Sequence, residues 1–358
     1  MYLEIYIIIK IKQMRYLLWF VLSVFYSGVF GQTQGIYFKR VDEPREKALC
    51  LLIPSGWTVD GGAIRITSDQ IAGAANMIDC KFDMAVKNDQ AGSVMIRWLP
   101  EMMCVDQSRA FGYPEGSVFN NTLVRRKRTP SKFIYEVAIP YAHPEAVNVN
   151  IISEKPLKEL AELFHRLTDP SVLAFTNISY QAGMLEYSYS ERGKKYQERM
   201  ITVIEDYGYS GAGMWKNRST MLIRAPFGEL DKWEPVLSVI QNSGKWSTSW
   251  IVNEANGQRK RAGQMILTQQ EIQALDRAIT ENQNRTNSEI NKDMYLFLTG
   301  QNEYKNPHTG KTETDTNHWK YRWVNKLGEV VYTDQQNYNP NFDNVLNKTG
   351  FQLSIPRK

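Results

Sequence analysis

The chain has 358 residues, 42% hydrophobic and 23% charged, with a formal net charge of +5. This composition excludes a low-complexity disordered or fibrous chain and suits a globular protein of roughly two to three domains. The segment up to Gly31 carries Lys10, Lys12 and Arg15 against Glu4, so the remainder has a net charge of +3, too mild and too interspersed to expect nucleic acid as a partner.

The N-terminus reads as an export signal. Arg15 precedes "YLLWFVLSVFYSGVF", Tyr16 to Phe30, an uncharged and mostly apolar run. A bilayer core needs about 20 residues, so this shorter run has the length of a signal-peptide apolar region rather than an anchor. Val29 and Gly31 supply compact residues for cleavage before Gln32, and Met14 is a candidate true start. The alternative is an uncleaved anchor, lengthened by the upstream "IYIII". Residues 1–31 are thus expected to be a signal peptide, and the mature protein to be exported to the periplasm or outside the cell, with no stable membrane span after cleavage. Cys50, Cys80 and Cys104 are an odd count for an exported chain, allowing at most one internal disulfide. None has metal-ligand spacing, and Cys50 and Cys80 lie in strand-like runs, which favours buried thiols.

From residue 32 to 252 strands and helices mix without a βαβ repeat. "ALCLLIPSGWTVDGGAIRI" reads as two strands about a Pro-Ser-Gly turn, and "CKFDMAVK" with "GSVMIRWLP" as a hairpin pair. Arg125-Arg126-Lys127-Arg128 is the one concentrated basic run, a candidate anion contact against the plainer reading of a solvated loop. A helix is expected to start at Pro130 after Thr129 as N-cap. "AVNVNIIS" reads as a strand. "PLKELAELFHRL" reads as an amphipathic helix with Leu157, Leu160, Leu163, Phe164 and Leu167 on one face. "MLEYSYS", "YQERMITVI" and "STMLIRAP" form a strand meander, and "ELDKWEPVLSVIQNS" a helix with Leu230, Trp233, Val236, Leu237 and Ile240 inward. This order predicts an α+β fold, a mostly antiparallel sheet carrying helices on its faces in an α/β/α sandwich.

The "IPSGW" at a strand end, the strand closing on "RAP" and the helix running to "SVIQNSGKW" resemble the Mog1/PsbP-like fold over about residues 36–250. The resemblance implies a sandwich of that type and transfers no functional residue. The whole chain, with "NPHTG", "YRWVN" and "GEVVYTD" near its end, also resembles uncharacterised secreted bacterial proteins, which implies nothing about chemistry.

Within "ITVIEDYGYSGAGMW", Gly208-Tyr209-Ser210-Gly211-Ala212 has the small-x-Ser-x-small form of a nucleophile elbow. An elbow needs a strand, a tight turn and then a helix, with a histidine base at hand. Here glycines and a strand-like run follow, so a wide hairpin loop is expected and Ser210 remains only a weak catalytic candidate. His143, His165, His308 and His318 show no metal-ligand spacing, and neither metal nor cofactor is expected.

Beyond the sandwich, "NEANGQRKRAG" reads as a polar linker and Gln264 to Leu298 as one long helix, about 50 Å at 1.5 Å per residue. These occupy residues 253–300. Residues 301–358 read as a small appendage built on a hairpin with Trp319, Tyr321, Trp323 and Tyr332. Those four aromatics are the other binding candidates, for a glycan or peptide, against the plainer reading of a small core. The functional expectation is an exported, non-enzymatic binding or assembly module of the bacterial envelope, meeting an envelope protein or a glycan. The alternative is a secreted serine hydrolase using Ser210.

Overall fold

The computed structural model describes residues 35–67, 73–107, 113–120, 122–168, 177–208, 213–261 and 301–356. In chain order its strands are β1 (Ile36–Asp42), β2 (Leu49–Pro54), β3 (Thr58–Ile64), β4 (Lys81–Lys87), β5 (Met95–Trp98), β6 (Met103–Val105), β7 (Val118–Phe119) and β8 (Thr122–Val124). There follow β9 (Val147–Pro156), β10 (Ser179–Glu191), β11 (Lys194–Asp206), β12 (Met214–Pro226) and β13 (Lys245–Trp246). The C-terminal part holds β14 (Gln301–Lys305), β15 (Thr312–Thr316), β16 (Tyr321–Val324), β17 (Val330–Thr333), β18 (Gln352–Leu353) and β19 (Ile355–Pro356).

The α+β expectation is corrected. Strands hold 43% of the structure and helical residues 21%, so the protein is mostly β, built of curled antiparallel sheets with short helices against them. The longest helix among the described residues is Thr248–Arg261, of 14 residues. The expected long helix, Gln264 to Leu298, falls outside the described residues, as does the expected signal peptide. No described helix is long and apolar enough to cross a membrane.

The largest sheet runs β3-β4-β5-β12-β11-β10-β9, with β6, β7 and β8 attached beside β12. β10 and β11 pair along their whole lengths and turn through Arg192 and Gly193, both at positive φ (50° and 75°). That is the backbone a two-residue hairpin requires, and glycine reaches it without strain. Alternation then separates two faces. Leu185, Tyr187, Tyr189, Met200 and Leu222 pack on the helical segment from Pro130 to Ala142, which starts after Thr129 with proline in its first turn. Ala182 and Val203 face the helix Lys158–Leu167 from the opposite side. Because both faces are covered, these strands carry apolar residues on both, and simple period-two polarity is lost.

A second sheet, β13-β2-β1-β17-β16-β18, lies against the first. The core between them gathers Phe38, Leu52 and Ile53 from this sheet and Met84, Val86 and Ile96 from the other, with Leu237 and Ile240 of helix Leu230–Asn242. The C-terminal hairpin β16–β17 belongs to this sheet. β17 pairs with β1, Tyr37 opposite Val331, so the hairpin of the expected separate appendage is instead an integral part of this sheet, while β15-β14-β19 forms a third, three-stranded sheet. The expected linker differs as well, since residues 248–261 form a helix. Its polar sequence is held by specific contacts rather than by a broad apolar face. Buried Glu254 accepts from the Cys80 backbone N–H at 2.9 Å and pairs with Arg65 and Arg261 at 2.8 Å each.

Candidate functional site

A cavity of about 690 Å³ opens between the two sheets. One wall is the face of the large sheet that carries Met84, Trp98, Met184, Ile201 and Ile223. Leu160 and Phe164 of helix Lys158–Leu167 close one side, and Leu237 of helix Leu230–Asn242 closes another. Leu51 of β2 supplies wall from the smaller sheet. Trp98, Leu160, Phe164, Met184, Ile201 and Ile223 are only partly buried although they pack against the cores, because they border this space. Cavities of this size with apolar walls and a few placed polar groups are the usual form of small-molecule sites.

The charged groups of the wall are held in ion pairs, beside the neutral polar Ser219, Thr220, Ser238 and Gln241. Lys81 Nζ lies 2.6 Å from Asp79 Oδ1, and burial pushes this lysine below its ordinary range while Asp79 pulls it back. Glu101 meets Lys216 Nζ at 3.1 Å, and Lys216 stands 3.7 Å from Asp79. Arg199 bridges Glu234 and Glu186 at 3.2 Å each. Cys80 also borders the cavity, and burial pushes its thiol up to about 12, so it is protonated at neutral pH and a poor nucleophile. The Thr202 and Thr220 hydroxyls bond each other at 2.7 Å. Such walls can bind and orient a ligand. Among the described residues no group of three or more His, Cys, Asp or Glu side chains is placed to hold a metal ion.

Ser210 lies outside the described residues. The strands on either side of its loop pair antiparallel, Asp206 opposite Trp215, so β11 continues into another strand and not into the helix an elbow requires. Of the four tail aromatics only Trp319 and Tyr332 are brought together, by packing, while Trp323 belongs to a separate cluster with Val331, Tyr338 and Phe351. Tyr332 is fully buried, stacked by Trp319 at 4.9 Å between ring centroids and met edge-on by Phe38 at 5.4 Å. Tyr321 and Trp323 sit half-buried on β16, leaving no continuous open aromatic face of all four. In the basic run, Arg128 is held by Glu115 and Glu136 and Lys127 by Asp206. The Arg125 carbonyl accepts from Trp215 Nε1 at 2.8 Å, while the Arg126 backbone N–H is bound by Glu115 at 2.7 Å. The run therefore stitches one edge of the fold, with two of its four cations already neutralised.

Sequence reasoning missed a buried ionic cluster on the other face of the large sheet. Glu198, fully buried on β11, accepts from the hydroxyls of Tyr187 and of Tyr189 (3.0 Å) and lies 2.8 Å from His143 Nε2. Arg224 extends the cluster to Tyr189 and Glu191 at 3.1 and 2.9 Å. The available signal was a glutamate on the apolar side of an alternating strand, facing two tyrosines spaced two apart. Its members bond one another inside the core of the large sheet, and it reads as internal support.

No protein-family model matches the chain, and no curated protein matches it. The Mog1/PsbP-like resemblance therefore rests on the short motifs alone.

Proposed function

We propose that this chain is an exported binding protein that holds an apolar small molecule in the cavity between its two sheets. The observation that carries the reading is the cavity itself, about 690 Å³ walled by Met84, Trp98, Phe164, Met184 and Ile223. Apolar wall of this extent left open to water forfeits burial free energy at about 25 cal/mol per Å², which an apolar occupant recovers. The leader-like N-terminus supports export, and the paired state of the wall ions favours binding over chemistry. Tail aromatics committed to packing make a glycan a less natural ligand than a lipid-like one.

The test is saturable uptake of the neutral dye Nile red by the purified chain. One-to-one binding with a blue-shifted emission is expected. Ile223→Trp, which pushes an indole into the cavity, should weaken binding about tenfold or more (1.4 kcal/mol per decade) with unchanged circular dichroism. Non-saturable uptake, or equal affinity in the filled variant, would refute the reading.

A further inference from the structure

Of the described residues that line the cavity, three are exposed: Ser219 on β12, and Gly244 with Trp246 at β13. The two places are held very differently. Ser219 lies in a strand of 13 residues that pairs with β11 on one side and with β5 and β6 on the other. Its backbone N–H also donates to Glu101 at 3.0 Å. β13 has only two residues, ends the smaller sheet and among the described residues pairs with β2 alone, Lys245 opposite Cys50 and Trp246 opposite Leu49. Gly244 precedes it with room to spare, since a Cβ there would meet only Leu51 Cδ2, at 3.6 Å. Short, exposed ladders of this kind open at the lowest free-energy cost in a fold.

The Trp246 ring joins solvent to the cavity wall. It is 43% exposed, yet it meets Phe82 edge-on at 5.3 Å between centroids and lies 5.7 Å from Trp250. Phe82 stands on β4 and lines the cavity, and Trp250 is anchored by its Nε1, which donates to Glu46 at 2.7 Å. One weakly held ring thus rests on two fixed ones. Lifting β13 from β2 parts Trp246 from Phe82 and breaks a two-residue ladder, while every longer strand stays paired.

We propose that ligand enters and leaves the cavity past Trp246, with β13 as the part that moves. This rests on the binding function proposed above and makes Trp246 the residue that sets the exchange rate.

The strand can be locked without touching the cavity wall. Lys245 is not a lining residue, and it faces the free thiol of Cys50 across the antiparallel pair. Directly opposed residues have Cα atoms about 4.5–5.5 Å apart, within the range a disulfide spans. Lys245→Cys, oxidised and confirmed by mass, therefore ties β13 to β2, and a reductant frees it. Stopped-flow mixing with Nile red compares the two forms of the one protein. Two aromatic contacts give a barrier of about tenfold or more, so oxidation should slow uptake and release together by that factor while Kd stays within about twofold. Equal rates in the two forms overturn the proposal, and so does a loss of affinity with uptake unchanged. Should the bond not form, Trp246→Ala decides: uptake and release both faster are expected, and unchanged uptake overturns the proposal. A chain that never takes up Nile red sinks the binding function and this inference together. Saturable uptake at rates indifferent to β13 sinks this inference alone.

Discussion

Replacing Glu43 by Gln tests whether one buried carboxylate ties the two sheets together. Glu43 follows β1 and is 1% exposed. Its Oε1 accepts from the backbone N–H of Arg45 and of Ala63, both at 2.8 Å; Oε2 accepts from Glu46 at 2.9 Å and Ala48 at 3.3 Å. Ala63 belongs to β3 of the large sheet and Ala48 adjoins β2 of the small one, so this carboxylate spans the seam between the two sheets. Gly62 leaves it room, since a Cβ there would stand 2.0 Å from Oε1. A Gln amide keeps one acceptor oxygen, so two of the four N–H groups must face an NH₂ instead. At about 1.5 kcal/mol for each lost bond to a charged acceptor, Glu43→Gln should cost about 3 kcal/mol. The pH dependence adds a second check. Burial raises the Glu43 carboxyl, but the four N–H groups outweigh it and hold it below its ordinary 4.5. A depressed folded-state value contributes stability above the unfolded one and loses it as pH falls through the folded one. The wild-type advantage is therefore full at neutral pH and shrinks below about 4.5. Urea denaturation of both proteins at neutral and acid pH measures it. A variant within about 0.5 kcal/mol of wild type at neutral pH, or a gap that stays constant into acid, refutes the clamp.

Local signals carried part of this fold. The Arg192-Gly193 turn between alternating runs announces the β10–β11 hairpin, and Thr129-Pro130 marks a helix start that the structure contains. The apolar spacing of Leu157, Leu160, Leu163 and Phe164 likewise corresponds to helix Lys158–Leu167. What escaped is non-local. Nothing in "GIYFKR" says that β1 will pair with β17 near the other end of the chain, because strand pairing depends on closing a long loop and leaves no local trace. Helix Thr248–Arg261 escaped because its stability comes from Glu254, Trp250 and Arg261 meeting distant partners, so the sequence lacks an amphipathic stripe. The cavity escaped for a different reason. Met184, Ile201 and Ile223 have the identity and alternation of core residues, and a lining position differs from a core position only in what the opposing elements fail to fill. The aromatic tail misled in the converse way: Tyr332 lies on a strand that β1 and Trp319 cover.

Buried groups supply two further tests. All three cysteines are free thiols, Cys104 being 1% exposed and, like Cys80, pushed up to about 12 by burial. Iodoacetamide at mildly alkaline pH should label native protein first at Cys50 and reach all three only in urea; rapid native labelling of Cys104 contradicts the packing. The second concerns His143, which faces Glu198 at 2.8 Å and Glu191 at 3.7 Å, with the Tyr189 ring and Arg224 completing its surroundings. Burial and Arg224 push the imidazole down, but the two carboxylates outweigh them and raise it above 6.5. The His143 hydrogen bond and charge, with Arg224, hold Glu191 down to about 2 despite burial. A raised histidine contributes stability that is full below about 6.5 and is lost as pH rises through the folded-state value; the depressed Glu191 contributes above about 4.5 and is lost as pH falls toward about 2. The cluster should therefore hold the fold best between about 4.5 and 6.5, with a decline on the alkaline side of at most about 1.4 kcal/mol per pH unit for one proton, the free energy of one pKa unit. His143→Gln removes the titrating proton, so its urea midpoint should be flat across the range where the wild-type midpoint falls. A wild-type midpoint that does not fall from pH about 6.5 into mild alkali, or a His143→Gln variant that falls as steeply, would show that His143 enters the folded protein uncharged and that the charges of Glu198 and Arg224 are balanced without it.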